Sequence, residues 1–149
     1  MQLITGSNCL IAALSMVTEI PNIQLEQIFP NFNEKLWDVP EPFCLRGVHV
    51  AEIQALMFFE FNQLFATVEK NPTIGCHMLD QPVVEIWNKA SKDFIFYSII
   101  AKNVGILLGS RDNLPHAVAW DGLKIYDPQG EIYSLDDNKF NIEEALIIV

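Results

Sequence analysis

The rhythm of hydrophobic and polar positions changes along the chain: helical spacing dominates its first part, strand-like runs its last. CLIAALSMVTEI, from Cys9, is apolar nearly all round in its first half, as in a helix buried on every side. Ser7 or Asn8 can cap its free N–H groups, and Pro21 lies just beyond its end. NIQLEQIF (22–29) reads as a short second helix, and NFNEKLWDVPEPFCLRG (31–47) as an irregular excursion. VHVAEIQALMFFEF carries Val50, Ile53, Leu56 and Met57 at helical spacing. QLFATVEK (63–70) alternates like a strand, and VVEIWNKASKDFIFYSIIA (83–101) is helical in part. GILLGS, HAVAW, LKIYD and EALIIV read as strands. Helices first and strands later predict an α+β fold with an antiparallel sheet.

The strand region contains one strong turn signal. Asp-Gly between alternating apolar residues marks a two-residue hairpin loop, in which both central residues need positive φ. Placing Asp121-Gly122 at the tip pairs Trp120 with Leu123, Val118 with Ile125 and His116 with Asp127. Opposed residues share a face, so this register sets an imidazole beside a carboxylate. The carboxylate can accept a proton from one ring nitrogen and leave the other as a base.

Cys9 is the candidate nucleophile for that base. It lies in the first turn of the first helix, where unpaired N–H groups and the helix dipole favour a thiolate. Its own N–H is a candidate oxyanion donor. Cys9, His116 and Asp127 then follow in the order nucleophile, base, orienter. Taken singly, each has a plainer reading: a small core residue, a polar pair at a sheet end, and turn chemistry at Asp127-Pro128. Cys44, His49, Cys76 and His77 show no CxxC or HxxxH spacing, so no metal site and no cofactor is expected.

The 149 residues fit a single domain, residues 1–149, and half of them are hydrophobic. The net charge of −10 argues against nucleic acid, whose phosphates are bound through Lys and Arg, and equally against an anionic membrane surface. No apolar run reaches the ~18 residues needed to span a bilayer. Three cysteines, none close to another in sequence, suit a reducing compartment. MQLITGSNCLIAALSMV lacks a basic n-region, and its apolar stretch follows the cysteine, so it is not read as a targeting signal. A cytoplasmic protein, not secreted, is the expectation.

NCLIAALSMVTEIP resembles the nucleophile helix of papain-like cysteine peptidases, in particular the bacterial and phage branch related to double-glycine leader (bacteriocin-processing) peptidases. HAVAWDGLKIYDPQG resembles that branch's His strand, hairpin and Asp-Pro, and RGVHVAEI a helix start between them. The resemblance implies a papain-like fold with its nucleophile helix packed on a C-terminal sheet. It also implies a soluble thiol protease acting on a protein or peptide substrate, in the host cytoplasm if viral, with Cys9 as nucleophile, His116 as general base and Asp127 as orienter. In this family a Gln six positions before the Cys supplies an oxyanion donor; here Gln2 stands seven before Cys9. A bulge could absorb the extra residue, or Ser7 or Asn8 could substitute. The departure keeps a second reading open, a protein-binding or inhibitory module that retains the fold without turnover.

Overall fold

The computed structural model describes residues 1–6, 8–37, 50–70, 89–137 and 139–149, and of residues 30–37 and 89–92 the backbone alone. Four α-helices occur among them: α1 (Cys9–Thr18), α2 (Asn22–Trp37), α3 (Val50–Phe61) and α4 (Lys89–Ile100). Six strands form one antiparallel sheet: β1 (Phe65–Glu69), β2 (Gly105–Arg111), β3 (Leu114–Trp120), β4 (Ile125–Asp127), β5 (Glu131–Tyr133) and β6 (Asn141–Ile148). Their order is β1-β6-β2-β3-β4-β5, so the last strand lies between β1 and β2.

Both faces of the sheet are covered, which explains why its central strands read as nearly unbroken apolar runs. Ile106, Ala117, Ala119 and Leu146 pack against α1, α2 and α3 through Leu14, Leu25, Ile53, Leu56 and Met57. Their strand neighbours Leu107, Val118, Trp120, Ala145 and Ile147 point the other way, against Phe96 and Ile100 of α4. The Trp120 indole N–H donates to the carbonyl of Ile100 at 2.8 Å, which satisfies its one polar atom in that core. β2 runs so close to β6 that side chains at Gly105 and Gly109 would collide with the carbonyls of Leu146 and Asn141.

Two sequence expectations are corrected. The second helix does not stop at Phe29 but continues through Pro30 to Trp37. A proline already has helical φ, and its missing N–H costs one bond, to Glu26, without ending the helix. The β3–β4 loop is the second correction. Ala119 pairs with Tyr126 and Trp120 with Ile125, so the loop spans residues 121–124 and the register lies two residues from the predicted one. Gly122 takes φ +95 while Asp121 keeps negative φ. The Asp121 carboxylate instead accepts the backbone N–H groups of Leu123 and Lys124 at 2.9 and 2.7 Å. This carboxylate caps the wider loop, an arrangement that a two-residue turn cannot offer. The two-residue turn lies elsewhere, at Asp112-Asn113, where φ is 52 and 62 between the paired Arg111 and Leu114.

Candidate active site

The site forms where β3 loses its second neighbour. β4 pairs with β3 only at Ala119 and Trp120, so among the described strands the Leu114–Val118 stretch is paired with β2 alone. The N-terminal end of α1 meets this open edge. Asn8 caps the helix, its Oδ1 accepting the N–H of Ile11 at 3.2 Å. Cys9 is therefore the first helical residue, among the N–H groups that have no partner within a helix. Its thiol is half-buried and faces His116, and the backbone N–H groups of Ala117 and Leu10 are directed at the sulfur. Burial would push the thiol pKa up; the hydrogen bond to His116 and the two backbone donors outweigh it and hold it below the ordinary value.

His116 and Asp127 meet although they are not cross-strand partners. Continued by one residue, the observed register would set Asp127 opposite Val118, diagonal to His116. A slip of two residues keeps every side chain on its face, so the imidazole still reaches the carboxylate. Nε2 lies 2.9 Å from Asp127 Oδ1. An ionised carboxylate only accepts, so Nε2 carries the proton and Nδ1 is the nitrogen turned to Cys9. The hydrogen bond to Asp127, then that to Cys9, raises the His116 pKa to about 9 against the opposing effect of burial. The Phe140 ring stands edge-on to the imidazole, 6.0 Å between centroids.

Asp127 is fully buried and its four acceptor positions are filled. Oδ1 takes His116 and the N–H of Gln129 at 2.8 Å; Oδ2 takes Arg111 Nη1 at 2.6 Å and the Tyr133 hydroxyl at 2.9 Å. Burial pushes the carboxyl up, but these donors, His116 foremost, hold it well below the usual carboxylate range. Its pairing with His116 and Arg111 keeps the charge in place. The Asp-Pro turn does structural work as well: Gly130 N–H bonds the Asp127 carbonyl at 2.9 Å, and Gly6 N–H bonds Pro128 at 3.3 Å. The turn thus fixes both the carboxylate and the segment leading into Cys9.

Cys9, His116 and Asp127 come together; Gln2 does not join them. The segment before α1 runs back along the helix. Ile4 N–H lies 3.2 Å from the Met16 sulfur, and Gln2 lines a cleft of about 280 Å³ with Met1, Ile4, Ser15, Met16, Glu19 and Pro21. Those residues mark the C-terminal end of α1, ~13 Å along the axis from Cys9. Asn8 is adjacent to the thiol, with its oxygen committed to the cap. Ser7, Cys44, His49, Cys76 and His77 lie outside the described residues. Among the described residues no group of three or more His, Cys, Asp and Glu could hold a metal ion, and no helix is long and apolar enough to cross a membrane.

Arg111 and Tyr133 escape the sequence reading. Burial first, and then the bond to Asp127, raises the Tyr133 pKa. Arg111 comes from the other hairpin, and the Asp112-Asn113 pair between two apolar runs is the signal that could have placed it beside the site. Compared with protein-family models, curated proteins and solved structures, the chain matches none.

Proposed function

We propose that the protein is a papain-like cysteine hydrolase that cleaves a peptide, isopeptide or related amide bond in a protein or peptide substrate. The observation that carries this reading is the Cys9 thiol at a helix start, hydrogen-bonded to an imidazole whose far nitrogen is held 2.9 Å from a buried carboxylate. The thiolate attacks the carbonyl carbon, and the Cys9 N–H faces the developing oxyanion. Nδ1–H of His116 then passes its proton to the leaving amine, leaving a thioester on Cys9. His116, now neutral, takes a proton from water, whose oxygen displaces the sulfur and releases the acid. The helix-first, sheet-last order and the packing of α1 on the sheet support the papain-like assignment, and the acidic chain with dispersed cysteines supports a cytoplasmic setting in a bacterial or phage-infected cell.

The test is alkylation of Cys9 by iodoacetamide, followed by peptide mass spectrometry. At pH 6 an ordinary thiol is only about one part in 300 thiolate. Cys9 should label more than about tenfold faster than a free cysteine peptide at that pH, and His116→Ala should remove the advantage. With a peptide-amide library, His116→Ala should lower turnover by roughly 10²–10⁴-fold. Labelling of Cys9 no faster than the free peptide would refute the assignment.

One observation favours the second reading. Gln2 lies at the far end of α1, so the donor that the family resemblance implies is missing from Cys9. A binding or inhibitory module would keep its partner in Cys9→Ala and show no turnover in the native chain.

A further inference from the structure

Nothing in the strand ladder holds Asp127 against His116. The two β3–β4 pairs, Ala119–Tyr126 and Trp120–Ile125, include neither residue. His116 belongs to the β2–β3 hairpin, where it pairs with Gly109; Asp127 belongs to the β4–β5 hairpin, where it pairs with Glu131. The second pairing is itself unfavourable, because it sets two carboxylates directly opposite on one face.

Arg111 resolves both difficulties. It is the last residue of β2, fixed by its pairing with Leu114 across the Asp112-Asn113 turn. Its guanidinium enters between the opposed carboxylates, with Nη1 2.6 Å from Asp127 Oδ2 and Nη2 2.9 Å from Glu131 Oε2. The planar fork suits two acceptors held at a fixed separation, and a single ammonium does not. Lys139 Nζ stands 3.4 Å from the same Glu131 oxygen, and the Tyr133 hydroxyl shares Oδ2 of Asp127. From solvent inward the charges alternate: Lys139, Glu131, Arg111, Asp127, His116, Cys9. We propose that Arg111 is a positioning residue for the Cys9–His116 pair, a clamp that joins the hairpin carrying His116 to the hairpin carrying Asp127. The inference rests on the reading of Cys9, His116 and Asp127 as one catalytic unit.

Position and field are separable here, because Arg111→Lys keeps the charge and loses the planar fork. As a positive charge, Arg111 favours the thiolate; by field alone, its removal in Arg111→Met raises the thiol pKa, and Arg111→Lys leaves it unchanged. As a clamp, removing it frees Asp127, the ring loses its aim at the sulfur, and the thiol pKa rises. The experiment is the pH profile of Cys9 alkylation by iodoacetamide from pH 4 to 10 in the full chain, its Arg111→Met variant and its Arg111→Lys variant. Circular dichroism melting verifies the fold of each, and Arg111→Lys, which keeps the charge and most of the side-chain bulk, provides the reading if Arg111→Met does not fold. The clamp predicts that the acid limb moves up by about one unit or more in both variants, a roughly tenfold slower reaction at pH 6. A native profile with a limb below pH 7 that is unchanged or shifted to acid in Arg111→Lys overturns the clamp and leaves the catalytic unit standing. A native profile with no limb below pH 7 overturns both.

Discussion

Replacing Asp127 by Asn keeps the shape of the side chain and reverses half of its hydrogen bonding. All four partners of the carboxylate are donors in the native site: His116 Nε2, Gln129 N–H, Arg111 Nη1 and the Tyr133 hydroxyl. An amide offers one acceptor oxygen and one NH₂ that can only donate. Tyr133 can rotate and His116 can change tautomer to accept; Arg111 and the Gln129 backbone cannot. One donor-to-donor clash therefore survives in either orientation of the amide. The charge-assisted bond to Arg111 is the stronger one to keep, so the oxygen turns to Arg111 and the NH₂ faces Gln129 and His116. His116 then accepts at Nε2 and carries its proton on Nδ1, the wrong tautomer for deprotonating a thiol. Sequence reasoning makes this substitution mild, ~10-fold, because Asn is an accepted orienter in cysteine enzymes. The structure predicts roughly 10²-fold or more in Cys9 reactivity at pH 6, in the direction of the handicap a misplaced tautomer imposes on a serine protease. Stability should fall too. A lost charge-assisted bond costs about 1.5–3 kcal/mol and an unsatisfied buried donor ~1–3, together ~3–5 kcal/mol. In a domain of this size that lowers Tm by roughly 10–15 °C.

The pH dependence separates this account from a general packing defect. His116 has a folded pKa above its unfolded value, so its pairing contributes stability that is full below pH ~6.5 and is lost as pH rises through about 9. Cys9 acts with the opposite sign: its folded pKa is lowered, so its contribution is present above the unfolded thiol value and lost as pH falls. In the native chain a proton carried by His116 is one released by Cys9, and the two slopes largely cancel. The assay therefore belongs in a Cys9→Ala background, with urea midpoints taken at pH 6 and 9.5. There the chain with Asp127 should lose stability across that interval, and the Asp127→Asn chain should not, so the penalty of the substitution is greatest at pH 6. An equal penalty at both pH values, or none, would refute the argument.

Other perturbations address neighbouring parts of the structure. Gln2→Ala should leave Cys9 alkylation within about twofold of native, since Gln2 lies at the other end of α1; a tenfold loss would return it to the site. Gly109→Ala should cost several kcal/mol or prevent folding, measured as soluble yield and Tm, because the new Cβ meets the Asn141 carbonyl at the β2–β6 register shift.

Much of the site was legible because its signals are local. The cap at Asn8 and the helix start at Cys9 follow from residues within one turn of each other. The shared face of His116 and Asp127 follows from strand parity, which is why a wrong loop length did not separate them: an error of one residue would have reversed the face, an error of two did not. What sequence reasoning missed is nonlocal or too short to have a period. Arg111 reaches Asp127 from a different hairpin, and β5 has three residues, too few for an alternation to register. Gln2 was judged by its distance in sequence from Cys9, whereas the chain doubles back before α1 and carries it away. Sequence reasoning ends the second helix at Phe29, whereas α2 runs on through Pro30 to Trp37, because a single missing N–H removes one bond of the helix and no more.

The place of β6 in the sheet has a consequence in time. Among the described residues β1 has no other strand partner, and Phe65 pairs with Ile148, so the sheet cannot close before residues 141–148 leave the ribosome. At ~5–20 residues per second, roughly 7–28 s separate the appearance of Cys9 from that moment. Until then β2 lacks one of its two neighbours, and β1 has no strand to join. Prematurely terminated chains that end after Asp127 carry Cys9, His116 and Asp127, yet they lack both β5 and β6. The order of synthesis therefore acts as a safety catch: the thiol is made well before the strand that completes the framework around it.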